Sequence, residues 1–161
     1  MALKKPPRVD VRTPAGRLAE ARLQQVLGYQ LVQASIVTGR IFEDQVGGPL
    51  KLRPVEYTVL TLIAENPGGS LAQLARALAV TAPNITNIVD RLESRGLIER
   101  SQSEEDRRTQ VLHTSVRGRE LVREATERIL AAEKAQVPLT PGEHAMLVEL
   151  LHKVALARQA R

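Results

Sequence analysis

Between the breaker Gly68-Gly69 and the glycine at Gly96, the chain carries two short helical periodicities with room for only a tight turn between them. Few architectures accept that arrangement. Ser70 and Gln73 fit a capping box, in which each side chain satisfies an orphan backbone N–H of the other's turn. Leu71, Leu74, Ala75 and Leu78 then recur on one helical face. This helix is expected to stop near Ala79. Thr81 is the next N-cap candidate, and Pro83 is tolerated because first-turn N–H groups lack helical partners. Val80 and Ile85 stand at N′ and N4, the positions of a hydrophobic staple.

The second helix is expected to bury Ile85, Ile88, Val89 and Leu92, spaced i, i+3, i+4, i+7. Its other face carries Pro83, Asn84, Thr86, Asn87, Asp90, Arg91 and Ser94. A merely solvated face would be rich in Glu and Lys. Short amides and hydroxyls stand here instead, and these can bond base edges and phosphates. Gly96 ends the helix as a C′ residue does. Short helix, tight turn and polar-faced second helix match a helix-turn-helix, although a plain helical hairpin shares the outline.

The segment after Gly96 favours the helix-turn-helix. Leu97 to Ser101 and Gln110 to Thr114 can pair as strands. The loop between them runs Gln102-Ser103-Glu104-Glu105-Asp106-Arg107-Arg108. Such a charged hairpin tip reads as a wing whose arginines are long enough for a narrow minor groove. Asp106 and Arg108 share a face of an extended segment, so the carboxylate can brace the tip or orient an arginine. A solvated charge run is the bland alternative. The fold class is therefore mainly α, a winged helix-turn-helix with a small β-hairpin wing.

The run Asp90-Arg91-Leu92-Glu93-Ser94-Arg95-Gly96-Leu97-Ile98-Glu99-Arg100, then Asp106-Arg107-Arg108, then Ser115-Val116-Arg117-Gly118, resembles the MarR family of bacterial transcriptional regulators. Leu52-Arg53-Pro54-Val55-Glu56-Tyr57-Thr58-Val59-Leu60 resembles the start of that family's second helix. The resemblance spans roughly Leu27 to the C-terminus. It implies that Asp106 braces the wing and Arg108 enters the minor groove. It also implies a homodimer on a pseudo-palindromic operator, a repressor whose DNA affinity falls when a small anionic aromatic effector binds between dimer helices and winged lobe. Thr114 and Ser115 stand where the family usually has a buried Leu followed by Thr, which implies looser packing beneath the wing.

Composition narrows the partners. Only 2% of residues are aromatic and none is Trp, which argues against base-stacking modes of single-strand or RNA binding. The absent tryptophan also argues against the urate-responsive branch of that family. With no cysteine, disulfides, thiolate nucleophiles and Cys-based zinc sites are excluded, as is thiol sensing. The remaining Leu/Ala-rich periodicity leaves room for strands only at the wing. Net charge is +5 and pI about 10.1, but Leu50 to Gly118 is close to neutral and much of the excess lies at Lys4, Lys5, Arg8 and Arg12. Charge placement therefore carries more weight than net charge. Without a leader or an uncharged apolar run long enough to span a bilayer, the expected compartment is the cytoplasm, with no membrane partner.

Four regions are expected. Residues 1–12 form a basic N-terminal tail. Residues 13–49 form an N-terminal dimerisation region, with Thr13-Pro14 as helix start, helix running toward Gln45, weak points at Gly28 and Gly39, and a break at Val46-Gly47-Gly48-Pro49. Residues 50–114 form the DNA-binding lobe, opened by a helix at Pro54 with a buried stripe of Val55, Val59, Leu62 and Ile63. Residues 115–161 form C-terminal dimerisation helices. Ser115 caps the first, which buries Leu121, Val122, Ala125, Ile129 and Ala132. Thr140-Pro141-Gly142-Glu143 is a capping box for the second, which presents Leu147, Leu150, Leu151 and Val154.

The candidate DNA-contacting residues are Ser70, Thr81, Pro83, Asn84, Thr86, Asn87, Arg91, Asp106, Arg107 and Arg108. Candidate effector contacts are Tyr29, Gln30, Gln33, Arg40, Arg53 and Tyr57, since Tyr and Arg together can orient a phenol or carboxylate. Tyr29 and Tyr57 also suit half-buried core positions. His113, His144 and His152 lack ligand spacing, so neither a metal site nor a cofactor is expected. No constellation of convergent catalytic groups is present, so an enzyme is not expected. The function read from the chain is a sequence-specific regulator binding double-stranded DNA; the alternative is a winged protein-interaction module, whose docking helix would carry apolar anchors.

Overall fold

The computed structural model describes residues 12–103 and 110–157. Two compact units are present, residues 1–40 and residues 41–161. In the first, Arg12 and Ala19 form an antiparallel bridge, and Thr13 N–H donates to Leu18 O at 2.8 Å. The Thr13 hydroxyl donates to Ala15 O and accepts from Leu18 N–H at 3.0 Å. Thr13-Pro14 thus opens a turn rather than the expected helix. A threonine that bonds its own local backbone serves a turn as readily as an N-cap, and Gly16 at φ +74° with Arg17 at φ +50° supplies the left-handed pair at the turn. A short 3-10 turn, Leu23–Gln25, precedes α1 (Leu27–Phe42). Gly28 and Gly39 both lie inside α1.

The second unit begins with Ile41 and Phe42. The expected break at Val46-Gly47-Gly48-Pro49 is wound instead, first as a π turn (Glu43–Gly47) and then as α2 (Gly48–Leu50). Pro49 sits where a helix start needs no N–H. The chain reverses at Lys51, which is left-handed at φ +55°. Pro54 then opens α3 (Pro54–Glu65). Its buried face is Glu56, Val59, Leu60 and Ile63, while Val55 is exposed and Leu62 half-buried. The expected stripe is thus rotated by one position, because the Glu56 carboxylate is drawn inward by Arg91 and Arg95.

Next come β1 (Gly69–Ser70), α4 (Leu71–Leu78), α5 (Ala82–Ser94), β2 (Ile98–Gln102) and β3 (Gln110–Thr114). The strands form one antiparallel sheet in the order β1-β3-β2, with Ile98 opposite Thr114 and Gly69 opposite Leu112. Strand β1 lies outside the wing, against expectation. Two residues are too few to show alternation, and Gly68, at φ +85°, turns the chain so that its N–H reaches Leu112 O at 3.0 Å. The capping box at Ser70 and Gln73 is present. So is the glycine stop after α5: Gly96 is left-handed at φ +67°, its N–H reaches Glu93 O, and Leu97 N–H reaches Leu92 O, the Schellman pairing.

Leu52, Val59, Leu60, Ile63, Leu74, Ile85, Val89, Leu92, Leu97, Ile98, Leu112 and Ala125 share one core. Each large side chain fully buried there contributes about 1.5–3 kcal/mol. Thr114 is buried, and Leu112 lies wholly inside as the floor of the sheet.

Ser115 starts α6 (Val116–Gln136): its Oγ accepts from Gly118 N–H at 3.0 Å and donates to Gly96 O at 2.7 Å. The outer face of α6 carries Arg128–Glu124 and Arg123–Glu127 pairs at 2.7 and 3.5 Å. Such exposed i, i+4 pairs contribute only about 0.3–0.5 kcal/mol each. The capping box of Thr140 and Glu143 opens α7 (Pro141–Leu156). No residue of α7 is buried; Met146, Leu147, Val148, Leu150, Leu151, Val154 and Leu156 are all exposed.

Candidate nucleic-acid interface

Helix α5 is held in place by its inner face. Ile85, Ile88, Val89 and Leu92 anchor it in the core, and Val80 packs on the same cluster as the expected staple. Thr81 occupies the N-cap position, but its side chain makes no capping hydrogen bond, so its hydroxyl is left to solvent.

On the opposite face Pro83, Asn84, Asn87 and Arg91 are exposed. Asn84, Asn87 and Arg91 follow i, i+3, i+7 and so line one stripe. Neither amide has a hydrogen-bond partner among the described residues. Two other candidates are partly committed. Thr86 is half-buried at the edge of the stripe and donates to Ala82 O at 2.9 Å. Ser70 Oγ is spent within its capping box. Asp106, Arg107 and Arg108 lie outside the described residues.

The candidate interface has structural neighbours that the linear reading passes over. Arg100, on β2, reaches Asp90 on α5, and its Nε stands 3.4 Å from Glu93 Oε2, an ionic contact without hydrogen-bond alignment. Glu56, from α3, accepts from Arg91 Nε at 3.0 Å. The i+3 step from Arg53 to Glu56 after a helix-opening proline is a signal that could have marked Glu56 as a cap. Nothing local could have named its arginine partners.

The candidate effector residues divide between the units: Tyr29, Gln30, Gln33 and Arg40 in the first, Arg53 and Tyr57 in the second. Tyr57 is half-buried, stacks tilted against Phe42 at 5.8 Å, and its hydroxyl pairs with Thr126 Oγ1 at 2.8 Å. Arg53 and Arg40 are exposed, and Gln30 Nε2 donates to Gln24 O at 2.9 Å. Tyr29 donates to the buried carboxylate of Glu20. That hydrogen bond, with burial and the charge of Glu20 adding to it, holds the Tyr29 phenol above the usual tyrosine range. A raised phenol pKa favours the fold below the unfolded value and loses that contribution as pH rises through the folded one. In a Tyr57→Phe background, the phenolate absorbance of Tyr29 is expected to appear later in an alkaline titration than that of free tyrosine. Adding Glu20→Ala should return it to the ordinary range; an unshifted midpoint in both proteins would refute the pairing.

Among the described residues there is no group of three or more His, Asp or Glu side chains placed to hold a metal ion. His144 Nε2 stands 3.9 Å from Glu133 Oε2.

The MarR family pattern matches residues 52–109, from the turn before α3 to the wing. Over 129 residues the chain is 30% identical to a Thauera aromatica protein assigned to transcriptional regulation of the hcr operon, covering 80% of this chain and 78% of that one. The chain belongs to the MarR family. It is a transcriptional regulator and not an enzyme, as its relatives are. The fold is similar to that of the transcriptional repressor CouR bound to a 23-mer DNA duplex, with 28% identity, a TM-score of 0.77, and coverage of 86% of this chain and 98% of CouR. CouR from Rhodococcus jostii bound to p-coumaroyl-CoA is similar at 25% identity and a TM-score of 0.72, covering 83% of this chain and 94% of that one. The MarR winged helix is thus the frame on which the Asn84–Asn87–Arg91 stripe is displayed.

Proposed function

We propose that this MarR-family chain is a homodimeric repressor that binds a pseudo-palindromic operator in double-stranded DNA and leaves it when a small anionic aromatic effector binds. The observation that carries this is the pair of amides, Asn84 and Asn87, without hydrogen-bond partners among the described residues, on the outer face of a helix whose inner face is locked in the core. Asn is suited to adenine, whose major-groove edge offers both a donor and an acceptor. Thr81 and Pro83 lie at the helix start, near phosphate or a thymine methyl; Ser70 and Thr86 support the approach. Arg107 and Arg108 contact the backbone and minor groove from the wing, with Asp106 as brace.

The seven exposed apolar side chains of α7 support pairing with a second copy, since isolated patches of that extent mark interaction surfaces. A two-fold pair sets two α5 helices on half-sites about 34–36 Å apart. Tyr29, Gln30, Gln33, Arg40, Arg53 and Tyr57 are the candidate effector contacts, and the aromatic thioester held by CouR supports that ligand class. The cytoplasm is the compartment this role requires; no helix among the described residues is long and apolar enough to cross a membrane.

Binding of a fluorescent duplex, enriched by the wild-type protein from a randomised pool, tests the reading. Asn87→Ala is expected to cost about 1–3 kcal/mol at one base pair of each half-site while leaving random-sequence affinity unchanged. Arg108→Ala should weaken binding to all sequences and reduce the salt slope by about one charge per subunit. Enrichment of no duplex even in dilute buffer would defeat the function; an unchanged salt slope would defeat the wing role alone.

A further inference from the structure

Glu56 is the one acidic side chain of α3 that is buried, and three groups converge on it. Arg53 N–H donates to Oε2 at 3.0 Å, which caps the helix. Arg91 Nε donates to Oε1 at 3.0 Å across 35 positions of sequence. Arg95 Nη1 stands 3.8 Å from Oε2 but is itself spent on Lys51 O at 2.7 Å, while its Nη2 reaches Leu50 O at 3.2 Å. Arg95 therefore pins the turn before α3 to the end of α5. It also leaves a second cation beside Glu56 whatever Arg91 does.

Arg91 is in a different situation. Its side chain is 44% exposed, it shares the outer stripe of α5 with Asn84 and Asn87, and Nη1 and Nη2 have no partner among the described residues. A guanidinium offers five N–H donors in a rigid fork. Held at Nε from inside, it still presents an edge of two nitrogens outward, the geometry that takes two phosphate oxygens.

We propose that Glu56 is a positioning residue for DNA binding: it grips Arg91 by Nε from the protein side, so that the Nη edge is already oriented for a backbone phosphate when α5 meets the groove. The gain comes from order imposed before binding, since an untethered arginine must lose its rotamer freedom on contact. The proposal rests on the reading of this chain as a DNA-binding protein.

The sign of one substitution separates positioning from charge neutralisation. Glu56→Gln keeps an acceptor for Arg53 N–H but removes a negative charge near the DNA-facing surface. If Glu56 merely masked Arg91, the variant would bind DNA more tightly with a steeper salt slope. As a positioning residue its loss is expected to weaken binding about tenfold, although net charge rises by one per subunit, and to add nothing in an Arg91→Ala background. Tighter or unchanged binding by Glu56→Gln overturns the proposal, as does an equal loss on top of Arg91→Ala. Thermal melts of each full-length variant report the fold. Should Glu56→Gln not fold, Arg91→Lys decides: it keeps the charge but lacks the fork. Binding as weak as Arg91→Ala supports the proposal, and wild-type binding overturns it. Failure of the wild-type protein to select any duplex would instead strike the DNA-binding reading.

Discussion

Gly118→Ala is expected to lower stability by about 3 kcal/mol or more, the upper range for forcing extra atoms into a packed site. An added Cβ would overlap the carbonyl oxygen of Leu97 and come 3.0 Å from its carbonyl carbon. The obstacle is backbone, and that backbone is held: Leu97 O accepts from Ser115 N–H at 3.0 Å, and Gly96 O from Ser115 Oγ. It cannot retreat without breaking the junction where α6 leaves the sheet. A drop in Tm of about 6–12 °C follows from the usual scaling for a chain of this size. Gly142→Ala, in the first turn of α7, is the control; nothing lies within 4 Å of its added Cβ, so it should be neutral or raise stability by about 0.4–1 kcal/mol. Equal melting temperatures for Gly118→Ala and wild type would refute the close approach.

Leu147→Glu combined with Leu151→Glu is expected to abolish the proposed dimer. The two side chains are one turn apart on α7, exposed in the single chain, and a pair of carboxylates in the proposed apolar seam would face a steep desolvation cost. Light scattering should then give the monomer mass. Operator affinity should fall by about a hundredfold or more, because each lobe must bind without the local concentration its twin provides. Helical content should be unchanged, since α7 contributes no buried residue to its own chain. A wild-type protein already monomeric at working concentration, or a double variant that stays dimeric, would sink the expectation.

Legibility in the sequence followed the range of the forces involved. Helices α4 and α5 and both wing strands could be read because caps, periodicity and the Gly96 stop act within a few residues. The Thr13-Pro14 segment misled because a threonine oxygen accepts local N–H groups equally in a turn and at an N-cap; the positive φ of Gly16 and the bridge between Arg12 and Ala19 decide between them. Strand β1 was hidden by its length, and the phase of α3 by Glu56, which pattern reasoning assigns to solvent. The stripe of Asn84, Asn87 and Arg91 was visible as composition. Its division into two amides unpartnered among the described residues and one tethered guanidinium depends on α3, far away in sequence. Gly118 reads as any helix glycine would, because the Leu97 backbone against it comes from another element.

Arg100 clasps the strand β2 to Asp90 and Glu93 on the helix α5. Strand β2 and the proposed reading helix are thereby tied into one block. In the dimer we propose, a chemical signal that released the protein from its site would act on the gap separating two such blocks, as one resets a caliper.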